Sequence, residues 1–126
     1  MRSAEIAAYG LGRLAFGAGL IGAPRQFGAV LLGDEAEHPT VRISLRVYGT
    51  RDLLLGIGAL ATLARRGNAR PWVAAGVAAD VLDTAIQLGE WDDMPADKRL
   101  LGVLSAVGAA VGGAALLARG LDFNSP

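Results

Sequence analysis

A chain of 126 residues, 52% of them apolar and with a mean hydropathy of +0.39, suffices for one domain and is more apolar than an ordinary soluble one. Twelve basic residues cancel twelve acidic ones, which leaves no concentrated basic face for phosphates and excludes nucleic acid as an expected partner. The absence of Cys and the single His, His38, exclude disulfides, cysteine nucleophiles and thiolate or His-clustered metal sites, and no metal or cofactor is expected.

The first helix is expected over 4–23: Ser3 can cap it, Glu5 suits the positive end of the helix dipole and Pro24 stops it. Arg13 is the only charge between Ile6 and Pro24, and that length matches the roughly 20 residues needed to cross a hydrocarbon core about 30 Å thick. Arg13 interrupts the apolar core a signal peptide would need. Gly12, Gly17, Gly19 and Gly22 point to close helix packing in lipid. The long connection from Arg25 to Thr40 divides into a short apolar stretch, Gln26 to Leu32, expected along the membrane interface, and a polar turn from Gly33 to Pro39. His38 with Glu35 and Glu37 is expected to be a solvated turn rather than a ligand set.

A second helix is expected over 41–64, capped by Thr40 and closed by Arg65-Arg66-Gly67-Asn68. Its first half carries Arg42, Arg46, Tyr48, Arg51 and Asp52. Arg or Asp near a bilayer centre costs about 2.5–3.5 kcal/mol on the insertion scale, so this helix must insert with partners. Tyr48, Arg51 and Asp52 fall three and four residues apart, on one side.

The third helix, 71–89, opens on Pro71 and an interfacial Trp72. Asp80, Asp83, Thr84 and Gln87 form a polar stripe at i, i+3, i+4 and i+7 that must face the bundle interior if the helix spans. After an acidic turn with Trp91, a fourth helix is expected over 98–118, with no charge from Leu100 to Ala118. Its Gly108 and Gly112 make a G-x-x-x-G pattern, read as intramolecular packing in preference to a dimer face. Leu121 to Pro126 is expected to be a short tail.

The expected architecture is therefore all-α, a single four-helix transmembrane bundle over 1–126 in the cytoplasmic membrane. Four spans put both termini on one side together with Arg2, Arg65, Arg66, Arg70 and Arg119, so the termini are expected to be cytoplasmic. Counting about 1.5 Å per residue from each helix start places Arg13 and Asp80 roughly 13 Å from one surface and Arg51 and Asp52 roughly 15 Å from the other. Charges from three helices thus converge near one plane, with Asp83 deeper still. Two Arg against three Asp leave one carboxylate in excess, to be neutralised by Arg46 or held with a proton.

Three functions fit such a network. It fixes helix register or binds a lipophilic small molecule, with Arg13, Arg51, Tyr48 and Gln87 as binding residues. It is a membrane-embedded acid/base site for isomerisation, cyclisation or epoxide opening of a lipophile, with Asp52, Asp80 and Asp83 as acid and base. Or the chain is an accessory subunit of a membrane complex, with lipid, a membrane-protein partner or a second copy as its neighbours.

The run Gly49-Thr50-Arg51-Asp52-Leu53-Leu54-Leu55-Gly56 resembles the G-x-R-D-x-x-L-G signature of small four-helix membrane proteins grouped as domain of unknown function 4267. Gly12-Arg13-Leu14-Ala15-Phe16-Gly17 resembles the first helix of that family and of DoxX-like proteins. The resemblance implies a multi-pass bundle without an assigned reaction, and the matching positions are Arg13, Arg51, Asp52 and Gly56. There is also an internal echo: Arg13 to Gly19 aligns with Asp52 to Gly58, a charge, three apolar residues and G-x-G. A vestigial inverted repeat of the transporter type is one explanation. Chance recurrence in Gly-rich sequence is preferred, since no helix is expected to be broken.

Overall fold

The first helix, α1 (Ser3–Gly22), stops because Pro24 has no N–H to continue its ladder. Ala23 leaves helical geometry (φ −135°, ψ 59°) and Pro24 then occupies the first turn of a new helix, α2 (Pro24–Leu32), where its fixed φ is favourable. The chain turns by 107° at this break. The computed structural model describes residues 3–122, with side chains described for residues 3–120. Among them the chain is all-helical, with five α-helices rather than the four expected. The extra one is α2, formed by the apolar stretch expected to run along the interface within a connection.

Gly33 ends α2 at φ +60°, its N–H returning to Ala29 O, and a 3₁₀ turn spans Gly33–Glu37. The next helix, α3 (Pro39–Ala64), starts two residues earlier than expected. Pro39 fits the first turn and His38 takes the cap position in extended geometry, so Thr40 is not the cap. At the other end the Arg66 N–H reaches Leu63 O and the Gly67 N–H reaches Thr62 O. This is a Schellman closure with Arg66 in the left-handed position, φ 55°, where Gly is usual. Asn68 Oδ1 then accepts the Arg70 N–H at 3.1 Å, opening α4 (Arg70–Gly89). After a 3₁₀ turn at Trp91–Asp93, α5 runs over Arg99–Asp122, so Leu121 and Asp122, expected in the tail, are helical. Residues 123–126 of that tail, and Arg2 of the charge count, lie outside the described residues.

The closest packing is the antiparallel seam between α1 and α3. Gly10 meets Gly56 and Gly17 meets Gly49, backbone against backbone. A Cβ on Gly56 would stand 2.6 Å from Gly10 O and 2.7 Å from Leu14 N, and one on Gly49 would stand 2.8 Å from Gly17 O. No side chain fits there, which is why glycines hold these four places. On the other side α4 packs along α5, with Val77 over Gly113. The expected G-x-x-x-G contact does not form: a Cβ on Gly108 or Gly112 would meet nothing within 4 Å. These two lie on different stripes of the helix from the one, through Val103, Ala106 and Gly113, that is buried. Trp72, expected at the interface, lies with its ring on Gly58 and is 39% exposed.

The two helix pairs meet where α3 contacts α4, while α1 and α5 barely touch. Their contacts fall at one end, where Tyr9 lies beside Gly113 and Arg119 pairs with Glu5 at 2.7 Å. Between them they leave a cavity that runs from these residues to the loop end.

Candidate functional site

Arg13 lies midway between the two glycine contacts of the α1–α3 seam, opposite Asp52. Its Nη1 donates to Asp52 Oδ1 at 2.5 Å, and its Nη2 donates to Asp80 Oδ2 and, at 3.3 Å, to the Gly76 carbonyl. One guanidinium therefore ties α1 to both α3 and α4. The close seam makes this reach sufficient, and Gly76 lets Tyr9 and Arg13 approach the α4 backbone. Arg13, Asp52 and Asp80 are 9%, 2% and 3% exposed, so each charge depends on its partners rather than on solvent.

The second guanidinium continues the chain. Arg51 grips Asp83 with two parallel bonds of 2.8 Å and reaches Asp52 Oδ2 at 3.3 Å. Such a fork on a carboxylate is the strongest geometry available to Arg. The Tyr48 hydroxyl donates to Asp83 Oδ2 at 2.7 Å. The result is an alternating series, Asp80–Arg13–Asp52–Arg51–Asp83–Tyr48, that crosses α4, α1 and α3, returns to α4 at Asp83 and ends on Tyr48 of α3. Asp52 is its centre, giving one oxygen to each arginine. Each guanidinium also lies over the tyrosine that precedes it on its helix: Arg13 is 5.2 Å from the Tyr9 ring centre and Arg51 is 4.2 Å from that of Tyr48. Phe16 meets Tyr48 edge to face at 6.2 Å.

Above this series lies the cavity, about 1130 Å³, walled by α1, α4 and α5 with Tyr48 and Asp52 of α3 beneath and Leu31 and Leu32 of α2 at the loop end. Its volume slightly exceeds the roughly 300–1,000 Å³ of sites that hold drug-sized ligands. Most of its wall is apolar, and the polar part is the Arg/Asp series and Gln87, with Glu5, Glu90, Ser105 and Arg119. Gln87 Oε1 is buried there without a hydrogen-bond partner.

The structure thus brings together Arg13, Tyr48, Arg51, Asp52, Asp80 and Asp83, and places Gln87 in the same cavity. Two expected members are elsewhere. Arg46 is exposed and stands outside the series. Thr84 turns its hydroxyl to Asp80 O on its own helix, 2.8 Å. The acidic turn keeps His38 exposed beside Glu35 at 3.8 Å, and among the described residues no His, Cys, Asp or Glu group has the arrangement of a metal site.

Tyr9, Phe16 and the Gly76 carbonyl were missed as site residues. A signal for Tyr9 was present, because the echo extends upstream: Tyr9-Gly10 stands to Arg13 as Tyr48-Gly49 stands to Asp52. Arg13 and Asp52 are 39 positions apart. The same shift carries Gly10 to Gly49 and Gly17 to Gly56, so it exchanges the two glycine contacts of the seam. The echo has a structural counterpart, a local pseudo-twofold through the Arg13–Asp52 pair.

No family model, no curated protein and no solved structure matches this chain.

Proposed function

We propose that the chain is a small multi-pass integral membrane protein that binds a lipophilic small molecule in the cavity above its Arg/Asp series. In this reading α1, α3, α4 and α5 span the cytoplasmic membrane with cytoplasmic termini, and α2 lies at the loop-side surface. This is the pattern implied by the resemblance of 49–56 to the domain of unknown function 4267 family. The observation that carries the proposal is inverted polarity. Leu11, Val47, Leu54, Leu82, Leu104 and Val111, from four helices, are each more than half exposed, whereas Arg13, Asp52 and Asp80 are buried. In water such a surface is an association liability, but in lipid both halves of the arrangement are favourable.

Among the described residues one helix, Arg99–Gly120, is long and apolar enough to cross a membrane by itself, with a mean hydropathy of 2.1, and the bent pair Ser3–Gly22 with Pro24–Glu37 meets that measure together. Charges that lower the hydropathy of α1, α3 and α4 include the five the series holds inside.

An acid/base enzyme acting on a lipophile is the second reading. It is favoured by the Tyr48 hydroxyl bonded to Asp83 within the cavity. Native mass spectrometry of protein extracted in mild detergent tests the binding reading. Wild type is expected to carry a co-extracted lipophile that Gly112→Phe excludes, since Gly112 lines the cavity and has open space at its Cβ. An empty wild type under conditions that retain lipid would remove the proposal and leave the series as a register device or a subunit contact.

A further inference from the structure

The occupant's chemistry follows from the balance of charge around the cavity, given the lipophile-binding reading on which this inference rests. Five of the lining side chains are carboxylates and two are guanidiniums. Adding Arg51, which holds Asp83 and Asp52, still leaves the carboxylates ahead by two. Within the buried series itself, two guanidiniums face three carboxylates, so even that core carries one unmatched negative charge.

The approach is acidic as well. At the loop end a second hollow, about 410 Å³, adjoins the main cavity through Leu32 and Met94, which line both. Four carboxylates line it, from Asp34, Glu35, Asp93 and Asp97. Two cations stand beside it: Arg99 lies over the Trp91 ring at 5.2 Å and donates to Met94 O, and Lys98 reaches toward Gly33, so the hollow keeps two carboxylates in excess. Glu90, exposed at the mouth of the main cavity, adds a further carboxylate.

An anionic lipophile would meet repulsion along this path and an unmatched carboxylate at its end. A neutral one would leave that carboxylate to be neutralised by a proton alone. A cation would be attracted at the mouth, neutralise the excess and contact the Phe16 ring, while its hydrocarbon lay against α5 and the leucines of α2. We propose that the cavity takes a lipophilic cation, an organic ammonium or phosphonium with bulky apolar substituents.

Two probes of equal shape and opposite charge separate this inference from the reading beneath it. Tetraphenylphosphonium and tetraphenylborate, with neutral triphenylphosphine oxide as a third, are titrated by equilibrium dialysis against the full chain in an uncharged maltoside detergent. Phosphonium is expected to bind at least about tenfold more tightly than borate or the oxide. Gly112→Phe should abolish its binding, and Glu90→Gln should weaken it by about two- to fivefold. Glu90 is exposed, so its replacement leaves the fold intact. If all three probes bind equally, or borate or the oxide binds best, and Gly112→Phe blocks them, the cavity binds lipophiles and the cation inference is overturned. If no probe binds wild type, or Gly112→Phe changes nothing, the cavity reading fails and the inference with it.

Discussion

The two faces of α1 use the same kind of residue to opposite ends. Toward α3, Gly10 and Gly17 meet Gly56 and Gly49 so closely that no Cβ fits, and the gap that remains is closed by Arg13 on Asp52. Toward α5, Gly12 has nothing within 4 Å of its Cβ direction, and neither has Gly112 across the cavity. Small residues therefore mark both the α1–α3 seam and the wall of the cavity. What distinguishes them is the charge at the seam: a guanidinium shared by two carboxylates needs three helices within reach of one side chain, and only backbone contact allows it.

Substitutions that add bulk should separate the two faces most sharply. Gly17→Leu or Gly56→Leu is expected to cost about 3 kcal/mol or more, because the obstacle is backbone, and to abolish a cooperative melting transition in detergent. Gly12→Leu should leave the melting temperature within about 2 °C and reduce only ligand occupancy. Comparable melting behaviour for Gly12→Leu and Gly17→Leu would dissolve the distinction. Next in size is the clamp. Arg13→Gln strands two buried carboxylates and is expected to destabilise by about 3–5 kcal/mol, whereas Arg51→Gln, at a partly exposed pair, should cost about 1–2 kcal/mol; thermal melts of both variants in one detergent give the order.

The double replacement Arg13→Asp with Asp52→Arg distinguishes an alternating series from an isolated pair. An isolated pair would be rescued by exchange. Here the exchanged carboxylate would face Asp80 and the exchanged guanidinium would face Arg51, so the double variant should melt no higher than the worse single one. The smallest effect belongs to the end of α3: Arg66→Gly relieves a left-handed backbone at a side-chain-bearing residue and should raise stability by about 1 kcal/mol, read as a higher melting temperature.

The centre of the site was legible in the sequence because charge is rare there: Arg13, Arg51, Asp52, Asp80 and Asp83 stand out in apolar surroundings, and helix rise alone brings them to one depth. Their pairing was not legible. Depth counting leaves open which oxygen each arginine takes, and of the two ways to meet the excess charge, Arg46 or a proton, the first fails because Arg46 is exposed and outside the series. The all-helical class followed from hydropathy and periodicity, whereas α2 was missed because the nine residues Pro24–Leu32 carry no periodic signal long enough to set them apart from an interfacial stretch. The G-x-x-x-G pair misled for a simpler reason. A glycine pattern states that a backbone can be approached, and the stripe that α4 approaches runs through Gly113.

In the proposed membrane setting, apolar side chains on the outer faces lie in lipid while the Arg/Asp series lies inside. The chain contains no Cys, so single cysteines can be placed freely and probed with a membrane-impermeant maleimide in sealed vesicles, before and after detergent. Leu54→Cys and Leu104→Cys are expected to resist labelling until the bilayer is dissolved, while Asn68→Cys and Asp97→Cys label from opposite sides. Prompt labelling of Leu54→Cys and Leu104→Cys in intact vesicles, or recovery of the chain in the soluble fraction, would contradict the account.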